Sequence, residues 1–289
     1  MNPYIQSLRL RTLPLSMSGI ILGSGLAAMD NGQWTMDIGH WIIFILAICT
    51  TLSLQILSNL CNELGDAQKG TDSDQQERQA YGLQAGKITE KQMKGMILLF
   101  LGLCVLFGTS LIYSAFGTLF SIQSLGFFVL GLLAIIGAIT YTLGKHSYGY
   151  KGFGDLGVFL FFGLLSTMGS YYLQTQTMSW EIVGCSVAIA LPIVGVLNLN
   201  NIRDMANDLA HGKRTFASLL GPTGGRNYHT FLIVGCLAIF TLFGHYWTLC
   251  ITPVWAWHLW YVWTHNKKLD KQMPILMFTT LIVAILGIF

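Results

Sequence analysis

W-I-I-F-I-L-A-I-C-T-T-L-S-L-Q-I-L-S-N-L-C-N-E-L-G-D, residues 41–66, decides the fold. Its first twenty positions carry no charge, and about 20 apolar residues at the helical rise are enough to cross a bilayer core. The stretch then runs without a break into Glu63 and Asp66. An apolar span that ends in carboxylates implies both a membrane address and a place for chemistry, since acids beside a membrane interior are costly to keep there.

Outward from this span, the same criterion marks eight more stretches: 13–29, 94–115, 122–143, 153–174, 182–200, 230–247, 248–264 and 272–289. The expected fold class is therefore all-α, a polytopic bundle of about nine transmembrane helices forming one integral-membrane domain over residues 1–289. The stretch at 248–264, with Pro253, His258 and several aromatics, suits a bent or interfacial segment as well as a straight span. No cleavable leader is expected, because the first apolar run lacks a small-residue cleavage site and is followed by further spans. Composition agrees: 53% of the 289 residues are hydrophobic and only 10% charged, far from a water-soluble mixture.

Basic residues test the count independently, because Lys and Arg accumulate in cytoplasmic segments. With the N-terminus inside, all 16 fall on one side, from Arg9 and Arg11 through Lys69, Lys145, Lys151, Lys213 and Arg214 to Lys271. The short outer loops hold acids such as Asp30, Asp37 and Glu181. The expected location is the inner membrane, with the functional face toward the cytoplasm. The net charge of +3 follows from this topology and is no argument for nucleic acid. The six cysteines show no C-x-x-C pair and read as small apolar residues.

Two inner segments are long and polar. The first reads N-L-C-N-E-L-G-D-A-Q-K-G-T-D, with Asn59, Asn62, Glu63 and Asp66 on one helical face. The second reads N-L-N-N-I-R-D-M-A-N-D, with Asn198, Asn201, Asp204 and Asp208 on a stripe beside Arg203. Each then reaches a G-K-[IR]-T stretch, Gly86–Thr89 and Gly212–Thr215, a sign of internal duplication. Most short acidic runs are solvated loop charges, but these continue apolar helices. Two facing oxygen-rich stripes suit Mg²⁺, which takes a few protein carboxylates and fills its remaining positions with water and phosphate oxygens.

A third patch, Y-T-L-G-K-H-S-Y-G-Y-K-G-F-G-D, crowds Tyr141, Lys145, Tyr148, Tyr150, Lys151 and Asp155 into one inner loop. A single tyrosine there is usually an interfacial anchor, while the glycines permit close backbone approach. A fourth, L-R-L-R-T-L-P-L-S, places Arg9 and Arg11 at the entrance to the first span, where phosphate binding and lipid head groups explain them equally well. Arg11, Tyr141, Lys145, Asp155, Asn201 and Arg203 are the expected substrate-binding residues from these patches.

These motifs together resemble the UbiA superfamily of intramembrane aromatic prenyltransferases, and within it the branch acting on 1,4-dihydroxy-2-naphthoate in menaquinone biosynthesis. Y-G-Y-K-G-F-G-D-L-G-V-F-L-F-F-G and N-N-I-R-D-M-A-N-D-L-A-H-G-K-R-T carry it most specifically, and it extends over most of the chain. The resemblance implies nine helices and a reaction that joins the chain of a polyprenyl diphosphate to the naphthoate ring with loss of CO₂ and diphosphate. It implies Mg²⁺ at Asn62, Glu63 and Asp66, with Asp72 as an outlying acid, and at Asp204 and Asp208. Asn62, Asp66, Asp204 and Asp208 would be the catalytic set, while Lys213 and Arg214 would hold the diphosphate. The chain departs from the pattern at Glu63, where the family usually has Asp, at Gly70, where the branch moves the acid to Asp72, and at Lys145, where the branch commonly has Pro.

Two other functions stay open at this point. A sister enzyme would prenylate 4-hydroxybenzoate or haem, and a transporter would use its acids as ion sites. A transporter is expected to place charges or helix breaks near mid-membrane, whereas these acids sit at helix ends on one side. The partners expected are polyprenyl diphosphate, the naphthoate and membrane lipid, and no protein partner can be inferred.

Overall fold

The computed structural model describes residues 2–30, 37–70, 82–145, 147–265 and 269–289. Among the described residues nine principal helical segments follow one another: α1 Leu13–Asp30, α2 Ile38–Lys69, α3 Glu90–Phe116, α4 Ile122–Thr140, α5 Gly154–Thr175, α6 Trp180–Ala210, α7 Phe216–Leu242, α8 Thr252–Thr264 and α9 Gln272–Leu286. A short helix, Pro3–Ser7, precedes them. Six of them (α1 to α6) and the stretch Leu269–Leu286 that contains α9 are long and apolar enough to cross a membrane, which makes this a multi-pass membrane protein. The other two segments, α7 and α8, occupy the places of the seventh and eighth expected spans; α7 begins well before residue 230.

Burial sorts the helices. In α6, 78% of the apolar stretch lies inside the protein, against 17% in α3 and α4. The centre is therefore α6, and α3 and α4 offer their apolar sides outward to lipid. In lipid, helices gain little from apolar contact and associate through close backbone approach at small residues. At Gly23 of α1 a Cβ would fall 2.2 Å from the Thr167 carbonyl oxygen on α5, so only glycine lets these two helices meet. Within α5, residues Phe159–Leu165 wind as a π-helix, a local widening that often marks functional sites.

The two G-K-x-T stretches fold as the same device. Gly86 and Gly212 take φ of 67° and 71°, and three residues later Thr89 and Thr215 cap α3 and α7 through their side-chain oxygens. α3 and α7 are thus entered through the same glycine turn and threonine cap, in support of the duplication seen in the sequence.

Candidate active site

The connections at one end of the bundle interlock. Gln55, Asn59, Asn62 and Asp66, all on one face of α2, line a cavity of about 340 Å³. Asn59 donates to Leu8 O (3.0 Å) and to Thr12 Oγ1 (3.2 Å), which ties the turn before α1 to this face. In that turn Arg9 adopts the left-handed conformation, φ 52°, rare for a side-chain-bearing residue and found where surrounding structure imposes it. Arg9, Arg11 and Thr12 all reach the cavity wall. Thr142 donates to Asn62 Oδ1, and Tyr150 donates its hydroxyl to Asp66 Oδ1 at 2.8 Å.

Glu63 is not part of this face. Fully buried, it accepts from Ser7 Oγ (3.2 Å) and from the Leu83 amide (2.7 Å), and it does not line the cavity. Successive residues on a helix point about 100° apart, so Asn62 looks into the cavity while Glu63 fastens the N-terminal helix and the turn before α3. The extra methylene that sets Glu63 apart from the usual Asp serves this reach. Asp72, the outlying acid, lies outside the described residues.

The second motif lies on α6. Asn200, Asn201 and Arg203 line the cavity, joined by Lys213 from the next turn. Asn201 Oδ1 is buried and has no hydrogen-bond partner among the described residues. Arg203 holds Asp204 through Nε at 2.6 Å, Asn200 Oδ1 at 2.7 Å and, through Nη1, the Asp270 carboxylate. The guanidinium is thus committed to protein acceptors. Asp208, 1% exposed, pairs with Lys213 Nζ at 3.2 Å. Asp204 and Asp208 stand behind Arg203 and Lys213 rather than on the wall itself.

The loop after α4 supplies the third side. Tyr141 and Tyr148 line the cavity and meet edge to face at 5.3 Å. Burial, then the carboxylate of Asp155, pushes the Tyr141 phenol well above its ordinary range, and burial raises Tyr148 to about 12. Both are neutral hydrogen-bond donors. Asp155 is buried beside Tyr228 of α7 and does not line the cavity. Lys145 is exposed in the loop after α4, and Arg214 is exposed while its amide donates to Tyr150 O at 3.1 Å. Of the expected substrate residues, Arg11, Tyr141, Asn201, Arg203 and Lys213 meet at the cavity; Lys145, Asp155 and Arg214 do not.

Beyond this polar mouth the cavity continues between apolar helices. Ala47 and Leu54 of α2, Leu111 of α3, Phe127 and Ala134 of α4 and Leu173 of α5 form its walls. Sequence reading missed Asp270 on the cavity wall and Tyr150 behind Asp66. Only Tyr150 had a visible signal, the glycine-flanked Y-G-Y-K-G run.

Among the described residues no three His, Cys, Asp or Glu side chains converge as a ready metal cage. What converges is an oxygen set: Asn62, Asp66 and the unpartnered Asn201 Oδ1 on the wall, with Asp204 and Asp208 behind it. A hard divalent cation that takes part of its shell from substrate phosphate needs only such a set, and the residues fit it.

A membrane bundle with a polar, oxygen-rich mouth opening on an apolar channel is built for a ligand with a charged head and a hydrocarbon tail. The chain belongs to the UbiA prenyltransferase family, whose profile matches residues 17–284. It is 41% identical over 259 residues to the 1,4-dihydroxy-2-naphthoate octaprenyltransferase of Escherichia coli, covering 88% of this chain and 79% of that protein. The enzyme of the same description from Haemophilus influenzae is 40% identical, with 79% and 72% covered. Among solved structures, a UbiA homologue from Aeropyrum pernix superposes with a TM-score of 0.68 at 16% identity over 96% of each chain. Another, from Archaeoglobus fulgidus and bound to GPP and Mg²⁺, does so at 0.63 and 14% identity over 99% and 98%. At these identities the structures show a shared fold.

Proposed function

We propose that this protein transfers a polyprenyl group from polyprenyl diphosphate to 1,4-dihydroxy-2-naphthoate, releasing diphosphate and CO₂ and giving demethylmenaquinol on the way to menaquinone. The observation that carries this is the single cavity in which Asp66, Asn201 and Lys213 stand at one end and the apolar walls of α2, α3 and α4 at the other. The acceptor is supported by relatives of about 40% identity that act on the naphthoate.

Asn62, Asp66 and Asn201 on the cavity wall would hold Mg²⁺, with the carboxylates of Asp204 and Asp208 adding negative charge behind them; a solved structure of the same fold is bound to GPP and Mg²⁺. When bound, the ion neutralises the diphosphate and makes it a better leaving group. Lys213 brings a positive charge to where negative charge grows as the allylic C–O bond breaks. The bond's electron pair leaves with the diphosphate, the naphthoate ring supplies the pair for the new C–C bond, and the carboxylate departs as CO₂. Leu54, Leu111 and Phe127 keep water from the electron-poor allylic carbon. Tyr141, kept neutral by burial on the cavity wall, offers a hydrogen-bond donor to the substrate. The gathering of Lys and Arg in the segments on this side supports a cavity mouth facing the cytoplasm and a place in the inner membrane.

The test supplies purified protein with Mg²⁺, a polyprenyl diphosphate and either 1,4-dihydroxy-2-naphthoate or 4-hydroxybenzoate, and follows prenylated product and released CO₂. Turnover of the naphthoate with CO₂ is expected. Turnover of the benzoate alone would refute the acceptor and leave prenyl transfer standing.

A further inference from the structure

Lys69 follows Asp66 by three residues on α2, a spacing at which opposite charges normally pair. Its ammonium is turned elsewhere. It donates to Thr142 O at 2.6 Å and to Ser147 Oγ, and it lies 3.8 Å from the centre of the Tyr150 ring, in the range of a cation–π contact. Asp66 instead takes the neutral hydroxyl of Tyr150 at 2.8 Å. The same ring lies 5.7 Å from Lys213 Nζ, and the Tyr150 carbonyl accepts the Arg214 amide. One residue thus touches the acid of the first motif and the basic turn after the second.

The consequence is electrostatic. A lysine closed on Asp66 would neutralise the carboxylate and compete with any cation, whereas a phenol leaves its charge intact and fixes its direction. Partners that hydrogen-bond a metal-ligating carboxylate typically change metal affinity 10- to 100-fold when removed. We propose that Tyr150 is the positioning residue of the first motif: its hydroxyl fixes one oxygen of Asp66, and its ring holds Lys69 away, so that the other oxygen is left for a divalent cation. This rests on the prenyltransferase reading above, and it assigns separate jobs to the hydroxyl and the ring.

The test counts Mn²⁺ bound to the full-length detergent-solubilised protein by its EPR signal, with an unreactive allylic thiodiphosphate present at fixed concentration. Tyr150→Phe keeps the ring and is expected to weaken Mn²⁺ about tenfold. Tyr150→Leu also frees Lys69 and is expected to weaken it about a hundredfold. Adding Lys69→Met to Tyr150→Leu should return affinity to the Tyr150→Phe value, a rescue that a merely structural role would not produce. Affinity in Tyr150→Phe equal to or tighter than wild type would overturn the role of the hydroxyl, and absence of the rescue would overturn the role of the ring. If Tyr150→Leu fails to fold, Tyr150→Phe, of nearly the same volume, decides the first claim, and Lys69→Met alone decides the second by leaving Mn²⁺ affinity unchanged; a tenfold gain there would mean that Lys69 already competes for Asp66 and would refute it. Wild-type protein that turns over the naphthoate while the variants bind Mn²⁺ normally sinks only this inference. Wild-type protein that binds no Mn²⁺ and transfers no prenyl group sinks the functional reading with it.

Discussion

Replacing Arg203 by Met removes a guanidinium that the sequence pattern places at the substrate and the structure places among protein acceptors. The side chain is 12% exposed, its Asp204 partner 9% and its Asp270 partner 40%. The two halves of the clamp therefore differ in worth. Breaking a desolvated pair leaves an uncompensated buried charge and costs about 3–5 kcal/mol, while a pair screened by water contributes about 0–1 kcal/mol. Arg203→Met is expected to destabilise by about 3–5 kcal/mol and Asp270→Asn by no more than about 1 kcal/mol. Because the penalty lies in the stranded Asp204, adding Asp204→Asn to Arg203→Met should recover much of the loss. The measurement is tryptophan fluorescence across an SDS titration of the detergent-solubilised protein, in EDTA so that no divalent ion replaces the guanidinium. Arg203→Met protein as stable as wild type, with weakened binding of prenyl diphosphate, would refute the clamp and restore Arg203 to direct substrate contact.

Three further outcomes follow from the same geometry. Asp66→Ala and Asp208→Ala are each expected to cut turnover at least about a hundredfold with the fold retained, consistent with a first-motif acid and a second-motif acid acting on one metal-bound diphosphate; undiminished turnover in either variant, or in the presence of a chelator, would count against that assignment. Ala134→Phe, placed on the α4 wall of the apolar channel, should shorten the longest prenyl diphosphate accepted while sparing a C10 donor; product chain lengths by mass spectrometry would show it, and an unchanged profile would place the tail elsewhere. In a background without native cysteines, Cys introduced at the exposed Thr118 should react with an impermeant reagent in intact cells and Cys at the exposed Gly212 should not; the reverse labelling would invert the topology.

Much of the fold was legible because lipid removes alternatives. A backbone with no water to bond must close its own hydrogen bonds, so length and apolarity suffice to name a helix, and α1 to α6 fall where the runs of apolar residues lie. The start of α7 was not legible for a local reason. G-P-T-G-G reads as a break, and Gly221 does take a non-helical φ of 72°, yet the helix resumes through the exposed Asn227 and the buried His229, whose Nε2 lies 2.9 Å from His258 Nε2 of α8. The π-helical turn of α5 was equally hidden, since F-L-F-F-G-L-L has the composition of any apolar helix.

The site was legible as residue types and only partly as geometry. Periodicity put Asn62, Glu63 and Asp66 within one arc, but an arc about 100° wide can have a cavity at one edge and a packed neighbour at the other. What separates them is the N-terminal segment: Ser7 sits against Glu63, and Leu8 and Thr12 take the amide of Asn59. No spacing rule within α2 contains that information. The same holds for Asp270, an acid among lysines in sequence whose partner lies 67 positions away. Motifs report which oxygens and cations a chain has brought to one end of its bundle. Which of them face a ligand and which face one another is decided by contacts between segments, and here those contacts give one Glu63 oxygen to Ser7 and Leu83 and the Arg203 guanidinium to Asn200, Asp204 and Asp270.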